Sequence, residues 1–322
     1  MRRVVLALVF GTFGLSGMVA CSGDDVTETA VVDTTTPDTS TETTGADGAD
    51  GADDRVAVED LFELPASYEA VARTYCEAWP EVDGVVRPDA WFAHVPGDGF
   101  EMPNLGGSQP PPDAVVQGPD AVVAAAAALE YDVVDCSQPA LVYADWVALP
   151  VSAVGSDGVA DQGIWVLRLV DDQVHWHLIY GNEVESDGSA VVEPNSALVS
   201  EAREFCSLIE GTGFARDPDA FLAAMTSDPA VHNNPEGLYW TGAEAVGEMV
   251  DLYPPTDDIW CGDDIITNGE WSAEAVRIDN PPFDLTNVGV MVHRHVDGKI
   301  HRQFAHFTRA SGTVDWGLPL ED

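Results

Sequence analysis

Lysine is nearly missing. Lys299 is the single example in 322 residues, and 13 basic residues stand against 56 acidic ones, for a formal charge of -43. A field of that sign repels phosphate backbones and anionic bilayers, so nucleic acid and acidic membrane surfaces are excluded as partners. Such a charge serves solubility before any specific acidic function. The signature motifs of cofactor and hydrolase chemistry are also missing: there is no P-loop, no GxGxxG, no HExxH and no GxSxG. No cofactor is expected on those grounds. The five cysteines include no CxxC pair, which argues against a thiol redox or thiolate metal site. Beyond residue 20 no apolar run approaches the roughly 20 residues that cross a bilayer. Aromatics are absent from Ser22 through Asp60.

The first twenty residues read as a targeting segment. Arg2 and Arg3 precede an apolar stretch from Val4 to Phe13, and "LSGMVAC" ends in small residues before Cys21. This resembles a bacterial lipoprotein signal, which implies cleavage after Ala20 and lipid attachment at Cys21, with Met18 standing where leucine is commoner. The expectation is a bacterial cell-envelope protein, extracytoplasmic and held to the membrane only by that lipid. Residues 21–60 follow, rich in Thr, Asp, Gly and Ala. Such a segment cannot bury enough apolar surface to offset chain entropy, so it reads as a disordered acidic linker.

The remainder repeats itself. Cys76 precedes "DAWFA" as Cys206 precedes "DAFLA"; "GPDAV" matches "GAEAV"; Cys136 precedes Trp146 at the same interval as Cys261 precedes Trp271. The main length difference is "GGSQPPP", Gly106 to Pro112. Domains are therefore expected at 61–190 and 191–322. Each copy opens with a helix whose apolar residues recur at helical spacing, with Ser67 and Ser196 as candidate N-caps. Shorter helices are expected near Trp91 and Phe221, and near Pro119 and Ala243. Strands follow, near 133–138, 140–154, 162–170 and 174–182 in the first copy. The last two form a hairpin, for which Asp297-Gly298 is a strong turn signal in the second copy.

Landmarks in this order resemble the NTF2-like superfamily, in particular its SnoaL-like and ketosteroid-isomerase-like domains. The marks are "DAFLAAMTSDPAVHNNP", "GAEAV", Trp271 and "HVDGKIHRQFAHF", with weaker counterparts in the first copy. The resemblance implies an α+β fold: two tandem cone-shaped domains, each with three helices packed on a curved antiparallel sheet. It also implies a base before a proline and a tyrosine on the first helix. Met102 and Asn234 occupy the base position, with Glu101 one residue away. Tyr75 and Phe205 occupy the tyrosine position. Neither copy holds the pair, so that isomerase route is not expected.

With Cys21 lipidated, repeat symmetry pairs Cys76 with Cys136 and Cys206 with Cys261. Half of the eight histidines lie from His293 to His306. A two-residue turn at 297–298 puts Met291, His293, His295, Ile300, Arg302, Phe304 and His306 on one sheet face. The same rule gives Trp165, Leu167, Leu169, Val174, Trp176, Leu178 and Tyr180 in the first copy, with His175 and His177 on the outer face. If the copies superpose, the second cone is histidine-lined. The alternative buries Val290 and Val292, turns the histidines outward and packs the copies back to back. Candidate ligand-binding residues are His232, Asn234, Trp240, His293, His295, Arg302 and His306. His293-x-His295 is half a metal site, so metal is not expected. The reading is non-catalytic binding of a small polar or anionic ligand, or of an envelope partner protein. A SnoaL-like isomerase, cyclase or dehydratase with a histidine acid/base is one alternative, and a structural envelope module is another.

Overall fold

The computed structural model describes residues 67–79, 81–82, 85–86, 101–103, 115–117, 131–155, 158–185, 190–192, 194–211, 217–234, 238–252, 258–280 and 285–311, which fall in one compact unit. The expected signal segment, linker and helices near Trp91 and Pro119 lie outside them. Among the described residues, no helix is long and apolar enough to cross a membrane.

Helix α1 (Ser67–Glu77) opens the first half and α2 (Ser196–Ile209) opens the second. Each buries one stripe, Ala72, Tyr75 and Cys76 in α1 and Leu198, Ala202, Phe205, Cys206 and Ile209 in α2. The cap of α2 is Asn195, one residue before the serine expected from sequence; its side chain accepts from the Ala197 amide. Helix α3 (Pro218–Ala224) starts on a cap from Asp217, which accepts from the Ala220 amide, and Pro218 sits in the first turn, where its missing N–H costs nothing. Helix α4 (Gly242–Leu252) completes the set in the second half. Cys76 and Cys136 pair, as do Cys206 and Cys261, each tying an opening helix to its sheet across 60 and 55 residues. Paired cysteines of this kind fit an oxidising, extracytoplasmic compartment.

Fifteen strands are described: β1 (Glu81–Val82), β2 (Val85–Val86), β3 (Glu101–Pro103), β4 (Val115–Gln117), β5 (Tyr131–Asp135), β6 (Leu141–Tyr143), β7 (Trp146–Gly155), β8 (Val159–Val170), β9 (Gln173–Glu185), β10 (Met225–Asn234), β11 (Leu238–Thr241), β12 (Asp258–Asn268), β13 (Trp271–Asn280), β14 (Leu285–Val296) and β15 (Lys299–Ser311). The expected strand at 140–154 is broken at Ala144, which takes a left-handed φ of 51°. The first large sheet runs β4-β3-β9-β8-β7-β5, with β6 also on β7, and the second runs β11-β10-β15-β14-β13-β12. Strand for strand the orders correspond. In each, a single parallel pair, β3 with β9 or β10 with β15, interrupts an otherwise antiparallel array. Pro150 lies in the middle of β7, opposite the gap between the residues paired to β6 and those paired to β5.

Both faces of each sheet are covered. The inner face of the first sheet packs Val147, Leu149, Trp165, Leu167, Leu169 and Val174 beneath Tyr75 and Trp79. The inner face of the second packs Val276, Met291, Ile300, Ala305 and Phe307 beneath Phe205, Phe221 and Met249. The outer faces meet each other, joining Trp146, Ile164, Val166, Leu178 and Tyr180 to Trp271, Ala273, Val290, Val292 and Phe304 in one cluster. Buried large side chains of this kind each contribute about 1.5–3 kcal/mol, so the seam between sheets is a third core. Dual coverage explains why β7 reads as an almost continuous apolar run rather than an alternating one.

The hairpin turns form at the expected dipeptides, with left-handed φ values of 52° and 73° at Asp297 and Gly298, and of 51° and 60° at Asp171 and Asp172. Register then departs from the simple rule. His295 opposes Ile300, but Arg294 opposes Arg302, leaving His301 as the extra residue of a bulge. The first half has the matching bulge at His175, since Leu169 opposes Val174 and Arg168 opposes Trp176. One unpaired residue reverses the parity of everything beyond it. Arg302, Phe304 and His306 therefore leave the face of His293 and His295, and Trp176, Leu178 and Tyr180 turn to the outer face while His177 turns inward.

Candidate functional site

Corresponding strands allow the two inner faces to be compared residue by residue. Register places Trp271 opposite Arg294 and Ser272 opposite His293, as it places Trp146 opposite Arg168 and Val147 opposite Leu167. The ion pairs repeat as well: Arg168 meets Asp145 at 2.8 Å and Arg294 meets Glu270 at 3.1 Å. On this frame Val147, Leu149, Leu167 and Leu169 of the first half correspond to Ser272, Glu274, His293 and His295 of the second. Four apolar side chains of the first half stand where the second has four polar ones.

Glu274 and His293 are both fully buried, and Glu274 Oε1 lies 3.2 Å from His293 Nδ1. The ring of Phe205 meets His293 edge-on at 4.9 Å. Glu274 Oε1 also approaches Cys206 Sγ at 3.4 Å, a disulfide sulfur that carries no proton. His293 Nε2, Glu274 Oε2 and Gln303 Oε1 are buried without a hydrogen-bond partner among the described residues. Gln303 lies opposite His293 on β15. Its first-half counterpart is His177, whose Nδ1 is 2.8 Å from Tyr75 Oη. Phe205 stands where Tyr75 stands and offers no such partner.

His295 is bonded on both sides: its Nε2 lies 2.8 Å from Ser272 Oγ and its Nδ1 lies 3.1 Å from Glu201 Oε2 on α2. Burial, reinforced by neighbouring His293, lowers its pKa to about 3, so the ring is neutral across the physiological range. Burial does the same to His177, also to about 3.

Of the residues expected to line the site, His293 and His295 do face the helices, and Trp240 packs against the same inner core. His232, Arg302 and His306 do not join them. His232 stands on the opposite face of β10 from buried Val231, its ring 6.2 Å from Phe304, and burial lowers its pKa to about 4. Arg302 Nη1 donates to the backbone carbonyls of Asp228 and His301. His306 lies in the seam, its Nε2 2.5 Å from Tyr180 Oη. The Asn234 side chain falls outside the described residues. Among the described residues no group of three or more His, Cys, Asp or Glu could hold a metal ion.

Four residues of the cluster were not singled out from sequence: Ser272, Glu274, Gln303 and Glu201. The signal was present for two of them. Superposing "WSAEA" on "WVALP" at the tryptophans sets Ser272 on Val147 and Glu274 on Leu149. Glu201 reads as an ordinary charged residue of a helix surface until His295 is seen beneath it.

No family model matches the chain. A 94-residue stretch is 29% identical to a 1,3-beta-glucanosyltransferase of Candida albicans, covering 29% of this chain and 20% of that protein, so the chain spans about a fifth of that relative's length. Solved structures similar to the chain include a candidate ketosteroid isomerase from Kribbella flavida, at 18% identity and a TM-score of 0.31 over 37% of this chain and 83% of that one. An NTF2-like protein of unknown function from Mesorhizobium loti matches at 16% and 0.31, over 36% and 97%. An LEH-like epoxide hydrolase from Mycobacterium tuberculosis matches at 14% and 0.30, over 35% and 84%. The structural neighbours are NTF2-like and ketosteroid-isomerase-like folds.

Proposed function

We propose that the second half encloses a binding site for a small, polar, hydrogen-bond-donating ligand, in an extracytoplasmic protein of two tandem NTF2-like domains held to the membrane through a lipid on Cys21. The reading rests on one observation: His293 Nε2, Glu274 Oε2 and Gln303 Oε1 are buried on the inner face of the second sheet with no hydrogen-bond partner among the described residues. An unmade bond to a buried polar group costs about 1–3 kcal/mol. A fold that wanted only stability has the solution of the first half, Leu149 and Leu167, within the same chain. A carboxylate and an amide oxygen ask for donors, and a ligand carrying hydroxyl, amine or amide hydrogens supplies them. The displacement of Arg302 to the other face removes the cation that favoured an anionic ligand.

The test is thermal stabilisation of the full chain by a panel of small polyols, amides and amines. A stabilising compound should lose its effect in Glu274→Gln and His293→Ala, and keep it in His306→Ala. Equal stabilisation of the parent and both inner-face variants would reject the site.

A further inference from the structure

We propose that Ser272 is a nucleophile, activated by His295 and Glu201, which gives the chain an acyl-transfer activity toward small esters. The proposal rests on the preceding one in a single respect, that the inner face of the second sheet admits a small molecule.

The geometry is directional. Ser272 Oγ is 2.8 Å from His295 Nε2, and His295 Nδ1 is 3.1 Å from Glu201 Oε2. With Nδ1–H donating a hydrogen bond to the carboxylate, Nε2 keeps its lone pair for the serine hydroxyl. Hydroxyl, imidazole and carboxylate in that order form the arrangement that makes a serine oxygen attack a carbonyl. Ser272 and His295 are 0% and 3% exposed, while the Glu201 side chain is 30% exposed, so the relay runs from the interior to the surface. Burial keeps the ring neutral, so Nε2 holds a free lone pair, and the same burial makes it a weak base.

The first half supplies the control. Ser272 corresponds to Val147 and His295 to Leu169, by register. Glu201 precedes Cys206 by five residues, as Val71 precedes Cys76. Val147 and Leu169 belong to the apolar core there, and Val71 packs against it. The fold therefore needs no polar group at any of the three positions. All three differ together, on a helix and two strands far apart in sequence, and in the second half they are complementary members of one relay.

Ser272 also lies next to the proposed ligand groups, directly across the ladder from His293. In the reaction Ser272 Oγ bonds to the ester carbonyl carbon while its proton passes to His295 Nε2. The carbon–oxygen bond to the alcohol then breaks, and the alcohol leaves with that proton. Water repeats the sequence on the acyl-serine, releasing the acid and restoring the hydroxyl. No oxidant, reductant or metal enters the balance.

The experiment treats the full chain with diisopropyl fluorophosphate, maps the adduct by mass spectrometry, and follows p-nitrophenyl acetate for a burst of p-nitrophenol. One phosphoryl adduct on Ser272 is expected. Ser272→Ala should stay folded by circular dichroism, with a lower melting temperature for the lost buried bond, and carry no adduct there, and Glu201→Gln should slow labelling by roughly 10²- to 10⁴-fold. An unlabelled Ser272, or labelling as fast in Glu201→Gln as in the parent, overturns the proposal and leaves the relay as a purely structural network. The two proposals separate cleanly. Labelling that survives while Glu274→Gln changes no ligand response sinks only the ligand site; ligand stabilisation without labelling sinks only the nucleophile.

Discussion

Tyr180 and His306 occupy corresponding positions on β9 and β15, and their side chains meet each other across the two sheets, Oη to Nε2 at 2.5 Å. The pairs around them are reciprocal. Trp146 Nε1 donates to Thr308 Oγ1 at 3.0 Å and Trp271 Nε1 donates to Asn182 Oδ1 at 2.8 Å. Thr308 and Asn182 are corresponding positions of β15 and β9, so each tryptophan bonds the matching residue of the other half. Burial lifts the Tyr180 pKa well above its ordinary value and drops that of His306, with His232 adding to the latter, so the pair is a neutral hydrogen bond. Tyr180→Phe removes one buried bond and is expected to cost about 1–3 kcal/mol in urea denaturation. A double-mutant cycle with His306→Phe should show coupling above about 0.5 kcal/mol. Strict additivity would deny that the contact holds the sheets together.

Two glycines within the sheets are confined by the backbone of the neighbouring strand. A Cβ on Gly163 would stand 1.8 Å from the carbonyl oxygen of Tyr180, and one on Gly289 would stand 1.7 Å from that of His306. Backbone cannot step aside as a flexible side chain can. Gly163→Ala and Gly289→Ala should each destabilise by about 1–3 kcal/mol or more. Gly181→Ala, whose nearest neighbour would be Gln162 O at 3.3 Å, should be milder. Equal melting temperatures for all three would contradict the close approach.

Acid should unfold this protein earlier than its carboxylates alone predict. His177 and His295 have pKa values lowered to about 3, and His232 to about 4, chiefly by burial. Each then binds its proton less readily folded than unfolded, where a value near 6.5 applies. Their contribution is intact above pH ~6.5 and drains away as pH falls toward 3 to 4. The slope is about 1.4 kcal/mol per pH unit for each histidine in that window. Stability measured from pH 8 to pH 4 should therefore decline below about 6.5. A flat profile between pH 6.5 and 4.5 would mean that these rings are hydrated.

Replacing Glu274 and His293 together by leucine copies the first half. Swapping a buried polar pair for well-packed apolar groups is often neutral or stabilising by about 1–4 kcal/mol. The double variant should melt at the parent temperature or above while losing every ligand response. A lower melting temperature would show that the pair is structural.

Each cysteine bridge closes a long stretch, 60 and 55 residues. Reduction should cost about 4 kcal/mol per bridge by freeing the unfolded chain. Thermal melts with and without reductant, and of Cys206→Ser/Cys261→Ser, check this; coincident melts would show the bridges to be dispensable.

The sequence made much of this visible. The helix stripes, the hairpin dipeptides and the cysteine pairs were legible because each is fixed locally or by the spacing of like landmarks. The faces of β9 and β15 were legible only up to His175 and His301. A bulge has no residue type of its own here: His301 is set by where its side chain reaches Thr226 (3.0 Å) and by the matching irregularity between Met225 and Ala230 on β10. Both are tertiary facts. The two open alternatives for the histidines each held a part of the outcome, since His293 and His295 face inward while Val290 and Val292 lie buried in the seam. Glu201 was illegible in principle, because a helix-surface carboxylate acquires its role only from what lies under it.

The seam draws on outer faces, so the inner core beneath the helices of either half takes no part in joining the two sheets. Changes inside one inner core need not be answered in the other. A chain built this way can repack one half without loosening the joint on which both depend.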